Sequence, residues 1–210
     1  MKVIFLDVDG VLNGYNFWNQ LGWRIVSKIK SQKLKKWYRD VTEPFGIHTP
    51  KFKRFAKIVH KTGAKVVLSS CWRWRLTQTP FEEMDEHELK FHSLCKKYNI
   101  EIYDITPRSS NGRRDEEILT WWEETKKKRI AEDIAEIITK SSHKMVSVTG
   151  EYVDKFVILD DERYDLECFA NKELVQTSSV KKGQMIKGHW QETTGLRNKH
   201  VRQAIKILNG

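Results

Sequence analysis

The chain opens on an apolar run, Val3 to Leu6, that stops at Asp7, Val8, Asp9 and Gly10. Two later runs stop in the same manner: Lys65 to Ser70 ends in two serines, and Phe156 to Leu159 runs into Asp160 and Asp161. Short apolar runs of this kind read as buried strands. A buried strand should not end in two carboxylates unless something cancels their charge, because an unpaired buried carboxylate costs several kcal/mol or shifts its pKa. A divalent cation is the simplest partner for such a pair. Gly10 then frees the backbone for a sharp turn close to a ligand. Taken alone, the same residues also fit an ordinary strand–turn junction with solvated acids.

The 210 residues point to one domain, 1–210, with room for inserts, and to a core that needs no staples. The three cysteines, Cys71, Cys95 and Cys168, are odd in number and far apart, so neither a disulfide framework nor a zinc knuckle is implied. A reducing compartment fits them best. No apolar run reaches the roughly 18 residues of a membrane helix, and no secretory leader is visible. The expectation is a cytoplasmic protein with no membrane partner. Lys plus Arg number 38 against 28 Asp plus Glu, a net charge of +10, and there are eight tryptophans. That balance favours a polyanionic partner over a merely lysine-rich soluble face.

Strands and helices alternate along the chain. Residues 51–62 carry Phe52, Phe55, Ala56 and Val59 at helical spacing, and Gly63 ends that helix. Thr79-Pro80-Phe81-Glu82 reads as a helix start that leads through Leu89 and Leu94 towards Tyr98. Ile100 to Ile105 is a third strand, and Asp115 to Trp122 begins another helix. Ile130, Ile134, Ile137 and Ile138 mark a further helix, followed by a hairpin before Phe156. Leu174 to Gln176 is a short fifth strand, and Val201 to Leu208 a terminal helix. Alternating β and α with apolar strands implies an α/β, three-layer Rossmann-like fold around a mostly parallel sheet. Ligands of such sheets sit at the carboxyl ends of the strands. Asp7, Asp9, Ser70, Asp160 and Asp161 therefore share one edge.

Their chemistry is complementary. Asp7 is placed to attack phosphorus and form an acyl-phosphate, which splits one hard hydrolysis into two easier steps. Asp9 is placed to protonate the leaving oxygen and later activate water. Asp160, with Asp161 or Asp165, completes a hard oxygen site for Mg²⁺ together with Asp7. Ser70 offers a hydrogen bond to a phosphoryl oxygen. Arg114, just ahead of a helix, supplies the cation the transferring group needs, with Arg113 in reserve.

The order Asp-Val-Asp-Gly-Val-Leu-Asn, Val-Val-Leu-Ser-Ser-Cys-Trp-Arg, a basic residue before a helix, and Val-Ile-Leu-Asp-Asp resembles the haloacid-dehalogenase superfamily of phosphotransferases. These four motifs span residues 7–165. The resemblance implies Asp7 as nucleophile, Asp9 as acid/base, Ser70 rather than Ser69 as the phosphate-binding hydroxyl, and Arg114 as the motif cation. It also implies Mg²⁺ held by Asp7, the Asp9 carbonyl and the acidic pair. Arg114 to Trp121 and the late Leu-Val-Gln-Thr are similar to the branch found in Swiss-army-knife RNA repair proteins and stand-alone phage or bacterial relatives. That resemblance implies action on nucleic-acid phosphate ends. Residues 123–155 are longer than the branch needs, and Gly183-Gln184-Met185 stands where Gly-Leu-Thr is usual.

The superfamily places its caps between the first two motifs, so residues 14–50 form a small-cap or substrate-contact insert. Lys28, Lys35, Lys36 and Trp37 there, with Gly10 and Arg73, are the substrate-contact candidates; the bland alternative is a solvated helix. Lys126, Lys127, Lys128 and Arg129 read as a solvated face, Trp121 and Trp122 as packed on the sheet, and His87 and His92 as surface residues. Cys71 reads as a packed small residue, since no partner base is evident. The expected function is a Mg²⁺-dependent phosphomonoesterase acting on a terminal phosphate of a nucleic acid or nucleotide. One rival acts on a small phosphate metabolite; another is a nucleic-acid-binding or inhibitory protein on an inactive scaffold.

Overall fold

Strand β1, Lys2–Leu6, lies at the centre of a five-stranded parallel sheet. The computed structural model describes residues 1–13, 28–36, 46–140, 153–170, 172–177, 185–186, 189–190 and 195–210. The chain leaves β1 for helix α1, Thr49–Thr62, and returns as β2, Lys65–Leu68. Helices α2, Arg73–Gln78, and α3, Glu86–Lys97, lead to β3, Ile102–Ile105. Helix α4, Arg114–Lys140, precedes β4, Lys155–Asp160, and β5, Leu174–Gln176. Two two-residue strands, β6 at Met185–Ile186 and β7 at His189–Trp190, pair antiparallel, and α5, Asn198–Asn209, closes the chain.

The order β3-β2-β1-β4-β5 puts β2 on one side of β1 and β4 on the other. Phe5, for example, lies in register with Val67 of β2 and with Ile158 of β4. The strand order therefore reverses at β1, where open parallel sheets form a crevice at their carboxyl ends.

Alternation along the strands builds the two outer layers. Ile4 and Leu6 pack with Val66, Leu68, Val157 and Leu159 under Phe52, Phe55, Phe91 and Val201, so α1, α3 and α5 cover that face. Val3 and Phe5 point the other way, with Ile158 and Phe156, under Ile118 and Trp121 of α4. Phe52 and Phe55 are fully buried, each worth about 2–3 kcal/mol relative to exposure. Gly63, left-handed at φ 65°, ends α1 by returning its N–H to the Val59 carbonyl. Trp121 and Trp122 pack edge-on against Phe5 and Phe156, as the sequence led us to expect.

Several expectations need correction. The helix after β2 does not begin at Thr79. Phe81–Glu83 makes one 3₁₀ turn, and α3 starts behind Asp85. Asp85 accepts from the His87 and Glu88 amides at 2.8 and 2.9 Å, and Glu88 accepts from the Asp85 amide at 2.8 Å. That complete capping box outcompetes the weaker signal six residues earlier. Helix α2 had no sequence signature. The two helices read around Trp122 and Ile130 are one, because residues 114–140 contain neither Gly nor Pro. His87 and His92 are half-buried rather than on the surface, and His92 stands edge-on to Phe91. The hairpin expected before Phe156 lies outside the described residues.

Candidate active site

Asp7 follows β1 directly and still pairs as a strand residue, its N–H donating to the Leu159 carbonyl at 2.9 Å. Its carboxylate is buried and accepts from the Val8 amide at 2.8 Å. Asp160 ends β4, is also buried, and accepts from the Glu162 amide at 2.9 Å. Asp7, Asp160 and Asp161 each offer one oxygen, and these oxygens lie within 4.8 Å of one another. Burial, then Asp9 nearby, pushes the Asp7 carboxyl above its ordinary range against the pull of Arg114 and Ser70. Burial and the Asp7 charge push Asp160 well above it.

Arg114 answers part of that repulsion. Its Nη1 stands 3.4 Å from Asp7 Oδ1 and 3.3 Å from Asp160 Oδ2, and it donates to the Ser69 carbonyl. Burial opposes its charge, but Asp7 and Asp160 outweigh that and hold the guanidinium firmly protonated. Arg114 is the first residue of α4, and Asp165 accepts from its backbone N–H at 2.8 Å. Asp165 thus satisfies an orphan donor of the helix start, while Asp161 lies in the carboxylate cluster. Arg113 points to the surface, where it pairs with Asp115 at 2.6 Å.

Ser70 is fully buried, and its Oγ lies 3.4 Å from the Val8 amide and 3.3 Å from the Trp72 amide. The hydroxyl of Ser69 is buried with no hydrogen-bond partner among the described residues. Asp9 is half-buried and has a different environment from Asp7. Asn13 Nδ2 donates to its Oδ1 at 2.7 Å, and the Trp72 indole donates to its Oδ2 at 2.9 Å. Asn13 also accepts from the Gly10 amide at 2.8 Å, which closes the loop after β1. Gly10 is left-handed at φ 63°, and a side chain there would collide with Asp161. Thr177, just past β5, donates to the Gly10 carbonyl at 2.7 Å and ties the far strand to this loop.

The substrate-contact expectation for Arg73 is corrected. Its guanidinium is buried, pairs with Glu117 of α4 at 2.8 Å, and donates to the Ser70 carbonyl at 3.0 Å. It fastens the serine turn to the helix that carries Arg114. Cys71 is not packed but exposed, with its thiol 3.3 Å from Asp9 Oδ2. Partial burial of the thiol and its bond to Asp9 push it up to about 11, which disfavours the thiolate. Lys28 and Lys36 are exposed and Lys35 half-buried; Trp37 and most of the insert 14–50 lie outside the described residues. Lys126, Lys127 and Lys128 are exposed as expected, and the side chain of Arg129 lies outside them.

Sequence reasoning gave no role to Asn13, Trp72, Glu117, Thr177 or Lys51. Asn13, Trp72, Glu117 and Thr177 all stood inside the quoted motifs, which is the signal that was there to read; Lys51 had none. Lys51 donates to the Asn13 carbonyl at 2.6 Å. Burial and the neighbouring Arg54 and Arg197 lower it to about 8.

Three clustered carboxylates, two of them buried and within 3.4 Å of a single guanidinium, leave an excess of negative charge on an all-oxygen donor set. A hard divalent cation fits that donor set. The parallel sheet and the grouping of Asp7, Asp9, Ser70 and Arg114 at its carboxyl edge are those of a haloacid-dehalogenase-type phosphatase. The chain belongs to the family of HAD domains in Swiss Army Knife RNA repair proteins, whose model matches residues 3–183. No curated protein and no solved structure matches it significantly. Among the described residues no helix is long and apolar enough to cross a membrane.

Proposed function

We propose that this phosphatase removes a terminal phosphate from a nucleic acid or nucleotide through an aspartyl-phosphate at Asp7, with Mg²⁺ as its cofactor. The observation that carries the chemistry is the division of labour between two neighbouring carboxylates. Asp7 is buried beside Ser70 and Arg114, and Asp9 is held apart by Asn13 and Trp72. Asp7 attacks phosphorus, the ester P–O bond breaks, and Asp9 gives the leaving oxygen its proton. Asp9 then takes a proton from water, which attacks the acyl-phosphate and frees inorganic phosphate and Asp7. Ser70 and Arg114 supply hydrogen bonds to the phosphoryl oxygens as their charge develops. Mg²⁺ held by the Asp7, Asp160 and Asp161 carboxylates and the Asp9 carbonyl would offset the repulsion between an anionic nucleophile and an anionic phosphate.

Two observations support a nucleic-acid end. The family is one of RNA repair proteins. The net charge is +10, and Lys28, Lys30, Lys33 and Lys36 are exposed on the segment that follows the first motif. The test is phosphate release from 3′- and 5′-phosphorylated RNA and DNA oligonucleotides, free nucleotides, and small sugar phosphates, each with Mg²⁺. The reading predicts turnover of the oligonucleotides or nucleotides ahead of the sugar phosphates. Preference for a sugar phosphate would overturn the substrate class, and no release from any of them would overturn the enzyme.

A further inference from the structure

Three donors converge on one carboxylate at the mouth of the site. Asn13 Nδ2 reaches Asp9 Oδ1 at 2.7 Å, and Trp72 Nε1 reaches Oδ2 at 2.9 Å. The Cys71 thiol adds a weaker bond to Oδ2 at 3.3 Å. Both oxygens are therefore engaged, and from two separate segments: Asn13 belongs to the loop after β1, Trp72 and Cys71 to the turn after β2. Charge-assisted bonds to both oxygens hold the carboxylate in a single rotamer.

Trp72 is itself held. Its backbone N–H lies 3.3 Å from Ser70 Oγ, so one residue touches both the serine turn and Asp9. Arg75 lies over the indole at 5.9 Å and is anchored by Asp85 at 2.5 Å and Glu88 at 2.6 Å. An indole N–H taken out of water needs an acceptor. Here the acceptor is the group that the proposed reaction needs to aim.

We propose that Trp72 is a positioning residue for proton transfer: its indole N–H, opposed by the Asn13 amide, fixes the Asp9 carboxylate in the orientation that serves the leaving oxygen. This inference rests on the reading of Asp9 as the general acid. Its consequence is selective. A good leaving group departs without protonation, whereas a poor one needs the acid in place. Misaiming the acid therefore slows poor leaving groups and spares good ones, while a general loosening of the fold slows both.

The experiment is first-turnover release of phenol from phenyl phosphate and of dinitrophenol from 2,4-dinitrophenyl phosphate, with Mg²⁺, so that hydrolysis of the phosphoenzyme does not enter. Trp72→Phe keeps an aromatic ring and removes the N–H. It should slow phenol release by roughly 10–100-fold with little change in half-saturation, and dinitrophenol release by less than about 3-fold. Asn13→Ala, which removes the opposing donor, should show the same selectivity and carries the test if Trp72→Phe does not fold. Equal losses on both esters, or no loss on either, would overturn the positioning role. Asp9→Asn separates the two claims. Selectivity in Asp9→Asn without it in Trp72→Phe defeats Trp72 alone; no selectivity in Asp9→Asn defeats the general-acid reading beneath it.

Discussion

Gly10 and Arg73 show at the residue scale how the site is held. The backbone of Gly10 is left-handed, and its missing side chain leaves the space that the Asp161 carboxylate occupies. Gly10→Ala adds a left-handed penalty of about 1–2 kcal/mol and pushes Asp161 out of the cluster. Urea unfolding should register that loss, and phosphatase activity should fall more than the lost stability accounts for if Asp161 helps to hold the proposed cation. Arg73 and Glu117 form a buried pair, and each is expensive without the other. Arg73→Met should cost about 3–5 kcal/mol, and the double variant with Glu117→Leu should recover much of it. A denaturation series on the three variants checks this; no recovery would mean the pair is not coupled. The turn at Gly10 was readable from sequence; the Arg73–Glu117 pairing was not. An arginine two residues after Cys71 looks the same whether it faces a phosphate or a glutamate 44 residues away. By contrast Asp7 and Asp160 stood out, because each ends an apolar strand in a carboxylate, whereas the choice between Asp161 and Asp165 stayed open until the structure placed Asp161 in the cluster and Asp165 on the Arg114 amide.

Elements were legible wherever a periodic apolar face had to meet the sheet. The five parallel strands, α1 and α5 follow from that pattern, and α4 does so as two pieces that the structure joins. What failed was termination. Thr79 and Asp85 both look like helix caps, and only the bonds made in three dimensions decide between them. Helix α5 carries a second consequence of capping. His200 is buried, and its Nδ1 accepts from the Arg197 amide at 3.1 Å, which requires the neutral ring. Burial, and then the charges of Lys199 and Arg197, lower it to about 4 from the ordinary 6.5. The folded ring thus resists the proton that the unfolded chain accepts. Its contribution is intact above about pH 6.5 and is lost as pH falls through about 4, by up to about 2–3 kcal/mol. Urea midpoints between pH 7 and pH 4 should drop accordingly, and His200→Gln should flatten that limb. An unchanged limb would contradict the assignment.

At the scale of the whole molecule, the acidic cluster sets stability against function. The folded pKa values of Asp7 and Asp160 are raised, so folding disfavours their ionisation. Stability from this pair is present at low pH and is lost as pH rises through their folded values. A bound cation should reverse that loss. Mg²⁺ at a hundredfold excess over its dissociation constant should stabilise by about 2.7 kcal/mol, raising Tm by roughly 5–10 °C in a chain of this size. Asp160→Asn should raise Tm without Mg²⁺ and abolish the further rise with it. The net positive charge makes a separate prediction. Binding of a phosphorylated single strand to an Asp7→Asn variant should weaken with salt at a log–log slope of about −2 or steeper, whereas a free nucleotide should give a shallower slope.

The central claim is that Asp7 carries the phosphoryl group, and acid-quenching the enzyme during turnover of an aryl phosphate with Mg²⁺ tests it most directly. The account predicts that peptide mass spectrometry finds one phosphoryl group on the peptide containing Asp7, labile to hydroxylamine, and none in Asp7→Asn, which releases no phosphate. A phosphoryl group on another residue, or sustained turnover by Asp7→Asn, would contradict it.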